Sequence, residues 1–349
     1  MFDLDKLLRD NIRQLVPYSS ARDEFKGEAQ IFIDANENSL GSPLTKWYNR
    51  YPDPHQWKVK EAIGKIKGIS PQHLFLGNGS DECIDLLYRA FCVPGRDNVI
   101  INPPTYGMYE VSAHINDVEV RRVVLQDDFQ LDLVHLENQV DENTKIIWIC
   151  SPNNPTANSM NRQDIEIVLN NFPGLVVIDE AYINFSRHRS FIQELSDYPN
   201  LVVLQTMSKA WGLAGLRLGM AFASEAIIEI YNKVKPPYNI SQATQELALK
   251  ALEGVGQVNE MIKSLVSMRE QLAAELAVLP LVRKVYPSDA NFLLVKTVDA
   301  RGIYEYLLEK GIVVRDRSKV ELCEGCLRIT VGTERENAEL VEALGRCSI

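Results

Sequence analysis

The chain lacks any apolar run approaching the roughly 20 residues that cross a bilayer. Its first stretch, MFDLDKLLRDNIRQL, carries charges at helical intervals where a secretion signal would have an apolar core. The sequence therefore argues against a membrane protein, and a cytoplasmic location is expected. Basic charge is also in short supply, with 37 lysines and arginines against 47 aspartates and glutamates and a formal net charge of -10. Such a balance works against non-specific attraction to nucleic acid or anionic lipid, so no nucleic-acid or membrane partner is expected. Any anionic ligand has to be gripped by a few local cations.

Cysteine is sparse and scattered. Cys83, Cys92, Cys150, Cys323, Cys326 and Cys347 read as reduced thiols in a large chain without a secretion signal, not as a disulfide framework. Cys323 and Cys326 form a lone CxxC, with no second pair and no nearby histidines to complete four zinc ligands, so no metal is expected. The five histidines are dispersed, and His55, His114 and His188 read as ordinary surface or core residues. Internal repeats, low-complexity tracts and an evident flexible linker are missing too.

What is present is a chain of 349 residues with 46% hydrophobic content, enough for two domains sharing a large core. In its middle, short β-branched runs alternate with amphipathic segments: HLFLGNG, SDECIDLLYRAF, NVIINPP, VEVRRVVL, KIIWICSP, RQDIEIVLNNF, LVVIDEAY, LVVLQTMSK and RLGMAFA. The alternation predicts an α/β fold built on a mainly parallel sheet covered by helices. After about residue 240 the pattern changes to long helices, SQATQELALKALEG and SLVSMREQLAAELAVL, then short strands, NFLLVKT, GIVVRDR and CLRITVG, and a closing helix. This predicts a smaller α+β domain. The expected division is an N-terminal arm over 1–38, a large domain over 39–240 and a small domain over 241–349.

Ligands of such sheets collect at the carboxyl ends of the strands, and the unusual residues fall there. GNGSDE places Gly77 and Gly79 in a turn and Ser80 and Asp81 at a helix start, either as a simple N-cap or as a cradle in which free N–H groups and the helix dipole hold a phosphate. The third glycine of a dinucleotide fingerprint is absent. Tyr106, beyond the Pro-Pro turn of INPPTYGMYE, is a core residue or a ring laid flat on a planar ligand. Asn154 of SPNNPT is a turn former or an amide aimed at a ligand oxygen. Asp179 of LVVIDEAY follows four apolar residues, so it is expected to be buried and to need a cation or strong hydrogen bonds, with Tyr182 beside it. Lys209, between an apolar strand and the glycine-rich turn of TMSKAWGLAGLRLG, is a solvated surface charge if taken alone.

One cofactor needs all these pieces together. Pyridoxal 5'-phosphate has an aldehyde that a lysine amine holds covalently, a ring nitrogen that a carboxylate keeps protonated, and a phosphate that needs an anion cradle. Lys209 would hold the aldehyde and Asp179 the ring nitrogen. Arg217, with the hydroxyls of Thr206 and Ser208 and the helix start at Ser80 and Asp81, would neutralise the phosphate.

With these residues in view, the chain resembles the fold-type I pyridoxal-phosphate aminotransferases of class I/II, and within them the histidinol-phosphate aminotransferase family. The resemblance runs over nearly the whole chain through VPYSSAR, DANEN, YPDP, GNGSDE, PPTYGMY, SPNNPT, VVIDEAY, TMSKAWGLAGLRLG, GIVVRDR and CLRITVGT. It implies a large domain with a seven-stranded, mainly parallel sheet, a small α+β domain, and a homodimer. It implies that Asn154 and Tyr182 bond the ring hydroxyl, that Asp179 pairs with the ring nitrogen, that Tyr106 stacks on the ring and that Tyr51 reaches the phosphate in the neighbouring subunit. Arg315 and Arg328, each alone an ordinary surface ion pair, would hold the phosphate of L-histidinol phosphate with Tyr18 from the partner's arm, and Asn36 would also contact substrate. The same arginines would take a carboxylate of 2-oxoglutarate or L-glutamate in the other half-reaction. Two positions depart from the family pattern: Ala157 stands where a glycine is usual and Ser39 where a proline is usual. Three other activities share these features: an aromatic amino acid aminotransferase, a threonine-phosphate decarboxylase, and a non-catalytic protein that binds the same cofactor.

Overall fold

The computed structural model describes residues 2–18, 31–44, 46 and 48–347. Positions 19–22 of VPYSSAR therefore lie outside the described residues, as does part of the expected arm. The apolar runs form β1 (Leu74–Asn78), β2 (Asn98–Ile101), β3 (Glu119–Arg122), β4 (Thr144–Cys150), β5 (Leu175–Asp179), β6 (Leu201–Thr206) and β7 (Leu218–Ala223). They make one seven-stranded sheet in the order β1-β7-β6-β5-β4-β2-β3. β7 runs antiparallel to both its neighbours, and every other pairing is parallel, so the expected mainly parallel sheet is present.

The near-continuous apolar strands follow from burial on both faces of the sheet. Along β4 and β5 the side chains alternate: Ile147, Ile149, Val176 and Ile178 face a layer that includes Val59 and Ile63 of the helix Trp57–Lys67. Ile146, Trp148, Leu175 and Val177 face Ile84 and Leu87 of the helix Ser80–Phe91 on the opposite side. Those opposed layers hold the carboxyl ends of β4, β5 and β6 level with one another.

A second sheet contains β8 (Val282–Val285), β9 (Phe292–Thr297), β10 (Arg315–Asp316) and β11 (Cys326–Thr330), in the order β10-β11-β9-β8 with all pairings antiparallel. Its covered face packs on Leu272 and Leu276 of the helix Val255–Ala277, on Ile303 and Leu307 of Ala300–Glu309, and on Leu340 and Leu344 of Glu334–Gly345. The closing helix starts with a reciprocal capping box between Thr333 and Glu336. Two details differ from the sequence reading. Only Arg315 and Asp316 of GIVVRDR pair as a strand, and β8 is an additional strand; both lie at sheet edges, where half-exposed residues weaken the apolar signal.

Among the described residues no helix is long and apolar enough to cross a membrane, and no group of three or more histidine, cysteine or acidic side chains is arranged to hold a metal. Cys83, Cys92, Cys150, Cys323 and Cys326 are buried free thiols.

Candidate active site

A cavity of about 630 Å³ opens at the carboxyl ends of the central strands, between the large sheet and β10 and β11. All the expected site residues except Tyr18, Asn36 and Tyr51 line it. Five of its lining side chains are basic and two acidic, a cationic hollow in an acidic chain.

One end is built by the antiparallel pairing of β1 with β7, which sets Gly77 opposite Gly219. A Cβ on Gly219 would stand 2.2 Å from the backbone nitrogen of Ser80, so only glycine lets the β1 turn come this close. Gly77 lies inside β1, not in the turn expected for it, and Gly79 alone turns the chain with φ 77°. Gly79 is also the N-cap of the helix Ser80–Phe91 and offers no side-chain cap. Ser80 and Asp81 are thus the first helical residues and not the cap, and the helix opens towards the cavity with its N-terminal dipole. Arg217 adopts a left-handed backbone, φ 54°, and its Nη2 donates to Asp81 Oδ2 at 3.2 Å. Tyr106 donates its hydroxyl to Asp81 Oδ1 at 3.0 Å. Thr206 and Ser208 meet through their hydroxyls at 3.0 Å, and Ser208 N–H donates to Thr206 Oγ1 at 3.1 Å.

The middle of the cavity holds Asp179 and Lys209. Asp179 ends β5 and is buried; Oδ2 accepts from the Tyr109 hydroxyl at 2.7 Å and Oδ1 from Ala181 N–H at 3.0 Å. Burial pushes its carboxyl pKa up, opposed by the Tyr109 hydrogen bond. Tyr109 is a site neighbour with no strand-end signal of its own, three residues after Tyr106 in PPTYGMY. Burial also pulls the Lys209 ammonium pKa down, and the guanidinium of Arg328 pulls the same way. Tyr182 turns its ring to Lys209, with Nζ 5.6 Å from the ring centroid, and burial raises its phenol pKa.

At the far end, Arg315 and Arg328 are direct cross-strand partners on β10 and β11. Arg328 donates from Nη1 to Asn154 Oδ1 at 2.5 Å, which ties the small sheet to the turn after β4. Arg317 lines the same end. No motif of its own marks Arg317 in the sequence, but the period of two along RDR, applied to Arg315, points to it. Ala157, in the turn after Asn154, is fully buried with φ 69°, the left-handed conformation that explains the family's usual glycine. Ser39 lies in an exposed turn.

The remaining expected residues are elsewhere in this chain. Asn36 and Tyr51 line a separate cavity of about 540 Å³, where Tyr51 stacks on Tyr238 with ring centroids 4.4 Å apart. Tyr18 is 76% exposed and lines neither cavity.

This donor set fits pyridoxal 5'-phosphate. A helix opening with Arg217, Thr206 and Ser208 nearby suits a phosphate, Lys209 a carbonyl carbon, and the buried acceptor Asp179 a protonated ring nitrogen. The model of the aminotransferase class I and II family matches residues 31–344, and the chain belongs to that family. It is a transaminase of the pyridoxal-phosphate-dependent type. Its relatives are more specific. The histidinol-phosphate aminotransferase of Cytophaga hutchinsonii is 55% identical over 343 residues, covering 98% of this chain and 99% of that protein. The histidinol-phosphate aminotransferase of Bacteroides thetaiotaomicron is 54% identical over 345 residues, covering 99% of each. Among solved structures, the histidinol-phosphate aminotransferase of Sinorhizobium meliloti in complex with pyridoxal-5'-phosphate shares the fold at a TM-score of 0.75, with 24% identity and coverage of 85% of this chain and 82% of that one.

Proposed function

We propose that this chain transfers an amino group between L-histidinol phosphate and 2-oxoglutarate, giving imidazole acetol phosphate and L-glutamate, with pyridoxal 5'-phosphate as its cofactor. The observation that carries this reading is a single cavity with Arg217 and a helix N-terminus at one end, Arg315, Arg317 and Arg328 at the other, and Lys209 between them. Two anion sites suit a phosphorylated cofactor and a phosphorylated substrate held at once. The full-length relatives support the same assignment.

When bound, the cofactor supplies an electron-poor ring that takes up the electron pair left when the substrate carbon loses its proton. The chain does the rest. Lys209 would hold the cofactor carbonyl and would serve as the base towards the substrate carbon; its lowered pKa increases its neutral fraction near pH 7, as proton abstraction requires. Asp179 would keep a proton on the ring nitrogen, because a buried carboxylate favours a cationic N–H opposite it. Tyr106 would stack on the ring, and Asn154 and Tyr182 would bond its hydroxyl; all three line the cavity. Ser80, Asp81, Thr206, Ser208 and Arg217 form the cofactor phosphate site. Arg315 and Arg328 hold the substrate phosphate, or a carboxylate of 2-oxoglutarate, in bidentate fashion.

Tyr18 and Tyr51 complete the site from a second copy, in a cytoplasmic homodimer, and Asn36 contacts substrate. Their exposed or separate positions in one chain support that assignment. The two sheets support a division into a large domain over 39–240 and a small domain over 241–349, with residues 1–38 as an arm between subunits.

The test is the visible spectrum of cofactor-loaded protein titrated with L-histidinol phosphate, with phenylalanine and threonine phosphate in parallel. Loss of the band of lysine-bound cofactor at low L-histidinol phosphate, and its return with 2-oxoglutarate, is expected. A response to phenylalanine alone would replace the substrate, and carbon dioxide released from threonine phosphate would replace the reaction. Lys209→Ala should lack the band and turnover.

A further inference from the structure

β10 carries more cation than a carboxylate needs. Arg315 faces Arg328 across the β10 and β11 pairing, and Arg317 follows two residues later, where its N–H donates to Cys326 O at 2.9 Å and extends the ladder. Side chains two apart on a strand share a face, so the three guanidiniums stand on the cavity side of this sheet, and all three line the cavity. The acidic residue between them points away: Asp316 accepts from Ser318 N–H at 2.8 Å, and its register partner Leu327 is in the small-sheet core. Among the described residues, neither Arg315 nor Arg317 has a carboxylate within ion-pair distance. Arg317 Nε is buried without a hydrogen-bond partner among them. A buried guanidinium donor facing two like charges is unfavourable until an anion arrives.

We propose that Arg317 is the third guanidinium of the distal anion site and the residue that makes this end of the cavity select a phosphate dianion over a carboxylate. The inference rests on the substrate proposed above. A carboxylate has two oxygens and one charge, which one forked arginine satisfies with a second in support. A phosphate monoester presents three oxygens and close to two charges, which leaves acceptor capacity for Arg317. Arg328 is partly committed to Asn154, so the extra charge of the phosphate falls to Arg315 and Arg317.

The experiment compares wild-type holoenzyme with Arg317→Gln and Arg317→Lys. Arg317→Gln should raise KM for L-histidinol phosphate by roughly tenfold to a hundredfold, the loss of one charge-assisted contact, and KM for 2-oxoglutarate by less than about threefold. Inorganic phosphate, competing with L-glutamate, should bind the variant at least about tenfold more weakly. Arg317→Lys, which keeps the charge and loses the fork, should fall between and carries the test if the glutamine variant does not fold. Equal KM changes for both substrates, or none, overturn the inference. If the wild-type enzyme ignores L-histidinol phosphate, the substrate reading fails separately. The phosphate competition then decides the role of Arg317: weaker inhibition in the variant supports it and unchanged inhibition overturns it.

Discussion

The Tyr109 hydroxyl donates to Asp179 Oδ2 at 2.7 Å where both side chains are cut off from solvent. Tyr109 is itself fixed by stacking on Trp148, with ring centroids 4.9 Å apart, so the donor cannot easily follow a carboxylate that moves. Tyr109→Phe removes the hydrogen bond and keeps the ring. A hydrogen bond to a charged group is worth about 1.5–3 kcal/mol, so kcat should fall by roughly tenfold to a hundredfold with cofactor largely retained. Stopped-flow reduction of the visible band by substrate measures the step directly; an unchanged rate removes Tyr109 from the account.

Asp179 has a stability consequence of the opposite sign. Its folded-state pKa is raised by burial, so folding favours the protonated form, and the contribution to stability is present below the unfolded carboxyl pKa and lost as pH rises through the folded one. Cofactor-free protein therefore carries a penalty near neutral pH that Asp179→Asn relieves. The variant without cofactor should melt at or above the wild-type temperature at pH 7.5, with the gap closing towards pH 4, while turnover falls at least about a hundredfold. A lower melting temperature at pH 7.5 would falsify the assignment of that penalty.

Gly219 predicts a steric effect. A Cβ there would lie 2.2 Å from Gly79 C and Ser80 N, both backbone atoms that cannot rotate away. Gly219→Ala should destabilise the protein by about 1–3 kcal/mol or more and weaken cofactor retention by pushing the helix opening off its phosphate position. Thermal melts with and without cofactor separate the two effects; a melting curve and cofactor affinity like wild type would show that the β1 turn yields freely.

Ala157 sits in left-handed backbone among Tyr182, Phe185 and Phe292. Changing it to glycine relieves roughly 1–2 kcal/mol of backbone strain but gives up a buried methyl and gains unfolded-state freedom of similar size. Ala157→Gly should therefore be within about 1 kcal/mol of wild type in denaturant unfolding. Ala157→Val, β-branched and larger in a full space, should lose at least about 2 kcal/mol. A strongly destabilised glycine variant would mean the methyl outweighs the strain.

The central sheet was legible because its strands are apolar on both faces and each ends in a polar motif, and SDECIDLLYRAF matches the helix Ser80–Phe91 end to end. The edge strands β8 and β10 were poorly legible, since their residues are half wet and neighbouring strands, not their own pattern, fix them. Lys209 and Asp179 stood out because a charge beside an apolar run is unusual. Tyr109 and Arg317 did not, because an aromatic in a helix and an arginine in a polar turn are ordinary until tertiary structure sets them beside Asp179 and Arg315. Gly77 is illegible for a similar reason: glycine signals a turn locally, whereas here it lies inside a strand with Cys83 Sγ 2.8 Å from where a Cβ would stand.

The antiparallel insertion of β7 has a bearing on how the site assembles. β6 and β7 pair through Thr206 and Gly219, so Lys209 and Arg217 ride on the single loop that joins two adjacent strands. Closing the connection 207–217 costs less chain entropy than the longer parallel crossovers that place Asp179 and Asn154, by about 0.6 kcal/mol for each doubling of length. Lys209 and Arg217 thus come as one local unit, built by a different connection from the ones that place Asp179 and Asn154.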